Sequence, residues 1–464
     1  MTRRRVFQRR SRLACSAETA FRWHERPGAL QRLMPPWEQA EVVSATGNLR
    51  PGSRVVLRMR VGPVRCTWVA EHRDYVAGRE FRDVQVAGPF AVFDHIHRIT
   101  PAGKDACWLD DCIEYAIPGG WLGNALAGRY VERQLSRMFT YRHAVTAADL
   151  ALHSKGDSMK VLVTGATGLV GRHVVPLLTT QGHDVLRLTR RTPTEPNDVV
   201  WNPERGDLPS ARLEGLDAVV HLAGENIASG RWTPTLKERI RSSRVDGTRL
   251  LCTTLARLQH KPKTLVCASA IGFYGDRGAE LLTEDSPLGN GFLPDVCRAW
   301  EAACAPALDA GIRVVNLRIG VVLSPQGGAL AQMLLPFRCG LGGVVGSGKQ
   351  YLSWIAIDDV GGAILHCLQH QELSGPVNAT APHPVTNHEF TKTLGGVLNR
   401  PTIFPVPAFA AKLLMGEMAE ELLLSSTRVE PRKLLQSGYV FRFPFLDEAL
   451  RHVLGRGAPA SPAA

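Results

Sequence analysis

The residues best suited to chemistry lie in Lys160-Val-Leu-Val-Thr-Gly-Ala-Thr-Gly-Leu-Val-Gly171, an apolar run that ends in three glycines spaced three apart. A glycine turn after a strand and before a helix suits a dinucleotide. Gly165 permits the tight turn, Gly168 lets backbone N–H groups approach a pyrophosphate, and Gly171 lets the helix pack closely on the sheet. The positive helix N-terminus then faces the phosphates. Gly165, Thr167, Gly168, Leu169, Val170 and Gly171 are therefore candidate cofactor-binding residues, and residues 172–181 supply the helix. In an NAD-selective site an acidic residue ends the second strand, about 20 residues further on. Here Val185-Leu-Arg-Leu-Thr-Arg-Arg191 places Thr189, Arg190 and Arg191 there instead. An arginine fork suits a 2′-phosphate, so the expected cofactor is NADP(H), with NAD(H) as the alternative.

The elements that would position this turn follow from periodicity. Apolar runs at residues 160–163, 184–188, 218–222, 263–268 and 313–318 alternate with helix-like segments. That alternation specifies an α/β doubly wound parallel sheet of the Rossmann class. Before Met159 the period is two, at residues 53–61, 66–72, 81–86 and 91–99, as in an antiparallel sheet with one buried face. Residues 121–145 then carry helical spacing in Leu122, Leu126, Tyr130, Leu135 and Phe139. The small, polar stretch 147–158 reads as a junction. The expected organisation is a ligand-binding domain over 1–150, a linker over 151–158, a dinucleotide domain over 159–330, a small substrate-side lobe over 331–454 and a disordered tail over 455–464.

With 464 residues the chain exceeds one hydrophobic core. Its 44% hydrophobic and 21% charged residues are ordinary for a soluble globular protein. The net charge of +12 raises the question of nucleic acid, yet no RNA- or DNA-binding motif accompanies it. The arginine-rich residues 2–10 read as a solvated tail. No run approaches the ~20 apolar residues of a membrane span. Ten cysteines without a Cys-x-x-Cys pair fit reduced thiols and a cytoplasmic location, with Cys297 and Cys304 as packing residues.

Over about residues 5–150 the chain resembles the START-like superfamily of polyketide cyclases and lipid-transport proteins. The resemblance rests on Phe21-Arg-Trp-His-Glu-Arg-Pro-Gly-Ala-Leu30, Pro35-Pro-Trp37, Gly88-Pro-Phe90, His95-Ile-His97 and Phe139-Thr-Tyr-Arg-His143. It implies an α+β helix-grip domain that encloses a hydrophobic ligand. Trp23, Trp68, Phe90, Phe93 and Tyr115 either line such a pocket or fill the core. His95 and His97 share a strand face, but no convergent carboxylate or third histidine is evident, so they read as structural or pocket-polar groups and no metal site is expected.

From Met159 to about Leu454 the chain resembles an extended short-chain dehydrogenase/reductase of the atypical, sugar-nucleotide epimerase-like subfamily labelled "epimerase family". The residues carrying this are the Thr164–Gly171 turn, His221-Leu-Ala-Gly-Glu-Asn-Ile227, Arg231-Trp232, Arg241-Ser-Ser-Arg244, Ser269-Ala-Ile-Gly-Phe-Tyr-Gly275, Trp300-Glu-Ala302 and Gly346-Ser-Gly-Lys-Gln-Tyr-Leu-Ser-Trp-Ile355. The resemblance implies that Leu222, Ala223 and Gly224 lie along the cofactor, that Arg244 and Val322 lie near the nucleotide, and that Thr189 and Arg190 lie at the adenosine phosphate.

One departure bears on mechanism. Active relatives use a Ser/Thr with a Tyr-x-x-x-Lys pair, the lysine lowering the phenol pKa. Here Val296 and Trp300 take those two places. Ser269 survives, and Tyr274 is a candidate acid/base or pocket-shaping residue. Asp276, Glu284, Asp285 and Lys349 are weaker substitutes. The chain reads either as an NADP(H)-dependent epimerase or oxidoreductase acting on a small or hydrophobic molecule, or as a non-catalytic NADP(H) sensor or carrier with a hydrophobic-ligand domain. Its oligomeric state is not legible.

Overall fold

The computed structural model describes residues 4–61, 64–153 and 157–457. The chain forms two compact units, the first mainly Met1–Gly156 and the second Asp157–Leu178 with His183–Val453.

In the first unit β1 (Arg5–Leu13) is followed by α1 (Ala17–Glu25), α2 (Ala29–Leu33), β2 (Ala40–Thr46), β3 (Arg54–Val61), β4 (Val64–Val76), β5 (Glu80–Ala87), β6 (Val92–Pro101), β7 (Cys107–Ala116) and α3 (Gly120–Ala151). The strands make one antiparallel sheet in the order β1-β7-β6-β5-β4-β3-β2. Period-two burial is strict in β7, where Cys107, Leu109, Asp111, Ile113 and Tyr115 all turn inward. This is the α+β helix-grip class.

The structure corrects three expectations here. Residues 5–10 are no solvated tail: β1 pairs along β7 from Arg5↔Tyr115 to Leu13↔Cys107. Alternation puts Phe7 and Leu13 toward the core, and Phe7 packs 5.5 Å from Phe139. The arginines take carboxylate partners, Arg4 with Glu114 at 2.8 Å and Arg10 with Asp110 at 3.2 Å. Second, α3 runs on to Ala151 and absorbs the start of the expected junction, whose residues 154–156 lie outside the described residues. Third, the helix expected over 121–145 is present, but not all of its regularly spaced apolar residues face the core, which Ala127 and Val131 reach instead. Leu135 and Phe139 are buried, whereas Trp121, Leu122, Leu126 and Tyr130 are 51–79% exposed. Of the expected tail, residues 458–464 lie outside the described residues.

The second unit contains β8 (Lys160–Thr164), α4 (Gly171–Gln181), β9 (Asp184–Thr189), β10 (Asp198–Val200), β11 (Ala218–His221), α5 (Pro234–Ala256), β12 (Thr264–Ala270), β13 (Leu281–Leu282), α6 (Phe292–Ala302), α7 (Ala305–Asp309), β14 (Arg313–Ile319), β15 (Val321–Leu323), α8 (Gly328–Arg338), β16 (Tyr351–Leu352), β17 (Trp354–Ala356), α9 (Ile357–Gln369) and β18 (Gly375–Ala379). Seven strands form a parallel sheet in the order β10-β9-β8-β11-β12-β14-β18. β8, β11 and β12 are buried almost throughout, as parallel strands covered on both faces must be. The chain winds outward from β8 to β10, then returns to β11 on the other side. That reversal opens a crevice at the carboxyl ends of β8 and β11, where doubly wound sheets bind ligands. Beyond β18, short pairings join β13 to Arg428–Val429 and β16 to Val385–Thr386. Among the described residues no helix is long and apolar enough to cross a membrane.

Candidate functional site

The crevice begins at the glycine turn. Gly165 has φ +68°, and a side chain there would bring its Cβ to 2.7 Å from the Leu222 carbonyl oxygen. At Gly171 a Cβ would run into the Gly165 carbonyl and sit 2.7 Å from Ala166 Cα. These two positions accept only glycine, one for conformation and one for close packing. Gly168 donates its N–H to Gly165 O at 2.9 Å, and Thr167 and Gly168 are exposed. Among the described residues the Leu169 and Val170 N–H groups donate to no backbone carbonyl, which leaves two donors beside the start of α4. Such a cradle fits a phosphate.

Neighbouring strand ends are held by a buried polar chain. Thr164 Oγ1 accepts the N–H groups of Leu222 and Ala223, both at 3.1 Å. With both lone pairs used, its hydroxyl donates to His221 Nδ1 at 2.7 Å. His221 Nε2–H then donates to Thr248 Oγ1 at 2.9 Å, and the same oxygen takes the Trp300 indole N–H at 3.0 Å. Burial pushes the His221 pKa down to about 4, so the ring is neutral at pH 7. Trp300, at the expected lysine position, thus ties α6 to α5. Val296, at the tyrosine position, packs with Trp232, Ile240 and Met418.

The structure brings most of the expected cofactor residues to this crevice. Leu222 and Ala223 lie against Gly165, and Gly224 lies against Arg244, whose Cζ would be 3.3 Å from a Cβ there. Arg244 stacks 5.1 Å from the Trp300 ring, and burial lowers its pKa. Leu169 meets Gly327 and Gly328, beside the Val322 carbonyl. Thr189 ends β9, with its Oγ1 accepting the Arg191 N–H at 3.1 Å. Arg190 and Arg191 are exposed, and neither guanidinium has a partner among the described residues.

The candidate catalytic residues belong to a second network. Ser269, 3% exposed at the end of β12, donates to Glu301 Oε1 at 2.7 Å. Arg318 on β14 grips Glu301 with both arms, Nε to Oε1 at 2.8 Å and Nη2 to Oε2 at 2.9 Å. Its third nitrogen donates to the Tyr274 hydroxyl at 3.0 Å, and that hydroxyl donates to Asn378 Oδ1 at 2.7 Å. Tyr274 is 0% exposed, so it presents neither a proton nor a surface to the crevice. Burial, opposed by Arg318, leaves its pKa raised.

Of the weaker candidates, Glu284 is not a solvated loop carboxylate. It is buried, and its Oε1 accepts the N–H groups of Asn378 and Lys433, both at 3.1 Å. Asp276 accepts from Gly278 and Ser426, Asp285 pairs with Arg432 at the surface, and Lys349 is exposed. Cys297 and Cys304 are buried, consistent with packing.

Sequence reasoning missed the parts played by Glu301, Arg318, Thr248 and Asn378. One signal was available: Arg318 interrupts the apolar run of a central strand, and a charge there must find a partner.

Three family models match the chain. One described as the NAD dependent epimerase/dehydratase family covers residues 161–379. One described as polyketide cyclase / dehydrase and lipid transport covers residues 13–142, and a domain of unknown function covers residues 406–453. An epimerase family protein of Mycobacterium leprae is 39% identical over 296 residues, 64% of this chain and 96% of that protein. A crystal structure of a nucleoside-diphosphate sugar epimerase from Corynebacterium glutamicum is 33% identical, covers 97% of this chain and 90% of its own, and gives a TM-score of 0.81. The human epimerase family protein SDR39U1, solved with NADPH, is 36% identical over 64% of this chain and 99% of its own, with a TM-score of 0.59.

Proposed function

We propose, from the premise that this chain belongs to the epimerase family, that its second unit binds NADP(H) in the crevice and exchanges hydride with a small carbonyl or alcohol substrate beside Ser269. The glycine turn carries the reading, because its two clash-limited glycines sit beside free N–H donors and next to two exposed, unpaired arginines. Gly165, Thr167, Gly168, Leu169, Val170 and Gly171 would hold the pyrophosphate. Thr189, Arg190 and Arg191 would hold the 2′-phosphate, and Leu222, Ala223, Gly224, Arg244 and Val322 would border the rest. The human relative's NADPH supports this choice.

The dinucleotide, when bound, supplies or takes the hydride. The chain's own task is the proton. Ser269 would hydrogen-bond the substrate oxygen and relay its proton to or from Glu301, which Arg318 orients. Tyr274 holds Arg318 and so acts as a positioning residue. Residues 331–454 are read as the substrate-side lobe. In the first unit, Trp68, Phe90, Phe93 and Tyr115 form one aromatic cluster, with Trp68 4.7 Å from Phe93, and would face an apolar ligand. Trp23 belongs to a separate cluster.

The test is NADPH oxidation against a panel of small carbonyl compounds and nucleotide sugars. One responsive class, with turnover lost in Ser269→Ala and Glu301→Gln but cofactor affinity kept, supports the reading. Turnover unchanged in Ser269→Ala sinks the relay. A second reading, binding without turnover, is favoured by one observation: Val296 and Trp300 are committed to packing and to Thr248. Intact NADPH binding with no consumption across the panel selects it.

A further inference from the structure

Period two places five ionisable side chains on the inner side of the first unit's sheet: Asp83 on β5, His95 and His97 on β6, Asp111 on β7, and His143 facing them from α3. Register sets Asp83 opposite His95 and His97 opposite Asp111. The convergent carboxylates and third histidine that the sequence did not reveal are therefore present.

The two carboxylates stand at different distances from the imidazole pair. Asp111 Oδ1 is 2.9 Å from His95 Nε2 and 2.6 Å from His97 Nδ1, both hydrogen-bond lengths. Its other oxygen is 2.6 Å from His143 Nε2, whose Nδ1 is 2.8 Å from Ser11 Oγ. On the opposite side Asp83 Oδ1 is 3.5 Å from His95 Nδ1 and 3.3 Å from His97 Nε2. The His97 contact is a long hydrogen bond, and the His95 contact is longer still. They match the ligand-to-ligand edge, about 3.3 Å, of a tetrahedral site with bonds of about 2.0–2.1 Å.

We propose that Asp83, His95 and His97 form a three-ligand site for a divalent transition metal of the zinc class, with Asp111 holding the outer nitrogens of both histidines. By accepting from His95 Nε2–H, Asp111 fixes that ring's tautomer, and the same oxygen stands 2.6 Å from His97 Nδ1. The other nitrogen of each ring, His95 Nδ1 and His97 Nε2, faces Asp83, so that a metal ion displacing the proton between His97 and Asp83 would complete the carboxylate–histidine–metal pattern of protein metal sites. A doubly charged ion would also be balanced by the half-buried Asp83 and the buried Asp111 carboxylates. A further observation agrees: His72 lies opposite Asp83 in the β4–β5 register, and its buried Nδ1 has no hydrogen-bond partner among the described residues. The fourth position takes water or an oxygen donor from a ligand, among the rings of Phe81, Phe93 and Phe139.

The test uses the full chain, stripped with a chelator, dialysed, and titrated with Co2+ followed by visible absorption and with Zn2+ by calorimetry. One equivalent should bind with intense tetrahedral-type bands and no sulfur charge-transfer band. Asp83→Asn should weaken binding at least ~100-fold and Asp111→Asn by about 10–100-fold. The double variant His366→Ala/His370→Ala removes a stacked histidine pair at the end of α9 and should bind as the wild type does. No stoichiometric uptake by the wild-type protein overturns the proposal, whether or not any variant folds. So does uptake that is equal in Asp83→Asn and the wild type, or that disappears with His366 and His370.

Discussion

The crevice of the second unit has two walls of different construction. Along β8 and the turn into α4 the wall is backbone: Gly165 and Gly171 have no room for a side chain, and Leu169 and Val170 leave N–H groups unspent. Along β12 and α6 the wall is side chain, and nearly every polar atom is engaged. Ser269, Glu301, Arg318, Tyr274 and Asn378 hold one another in a continuous buried chain. A backbone wall with free donors is ready for a ligand of fixed shape, such as a pyrophosphate. A saturated side-chain wall is rigid first and reactive second, because each proton it offers must be taken from an existing hydrogen bond.

That difference predicts how the walls fail. Arg318→Leu should have the largest effect, about 3–5 kcal/mol of lost stability, since it strands the Glu301 carboxylate. Denaturant unfolding measures it, and a loss below about 1 kcal/mol would show that the network is not buried as described. Next comes Gly165→Ala, which imposes positive φ on a residue with a Cβ and presses Leu222. It should cost about 1–3 kcal/mol and weaken NADPH binding at least ~10-fold by calorimetry. Wild-type affinity in this variant would mean that the cofactor does not use the turn. Trp300→Phe keeps an aromatic ring but loses the indole N–H to Thr248 and part of the buried ring volume, and the lost hydrogen bond alone should cost about 0.5–1.5 kcal/mol by denaturant unfolding.

The smallest effect is a slope. The folded-state pKa of His221, about 4, lies below its ordinary value of 6.5 because of burial. Its contribution to stability is complete above about pH 6.5 and declines as pH falls toward 4. In His221→Gln the fall in stability between those values should be shallower than in the wild type. An equal slope would assign it to other groups.

The backbone wall was legible in the sequence because glycine spacing reports conformation directly, and the parallel strands announced themselves as short apolar runs. The side-chain wall was not. Ser269, Tyr274, Glu301, Arg318 and Asn378 come from five elements, and only the sheet register, which sets Ser269 beside Arg318, brings them together. Tyr274 stood out as an acid/base or pocket-shaping candidate from its place in the Phe273-Tyr-Gly275 turn, and nothing local shows that Arg318 and Asn378 enclose it. The same holds in the first unit. His95 and His97 were visible as a strand pair, whereas Asp83, Asp111 and His143 reach them only across β5, β7 and α3. Residues 5–10 misled for the opposite reason: their arginines masked an alternation carried by Phe7 and Leu13 alone.

The central claim, that the backbone wall binds NADP(H) through Thr189, Arg190 and Arg191, is tested most directly by titrating the wild-type protein and Arg190→Ala/Arg191→Ala with NADPH and with NADH in the same buffer. The account predicts that the wild type binds NADPH at least ~10-fold tighter, a difference of about 1.4 kcal/mol, and that the double variant loses this preference while its NADH affinity is unchanged. Equal affinities in the wild type, or tighter binding of NADH, would contradict it.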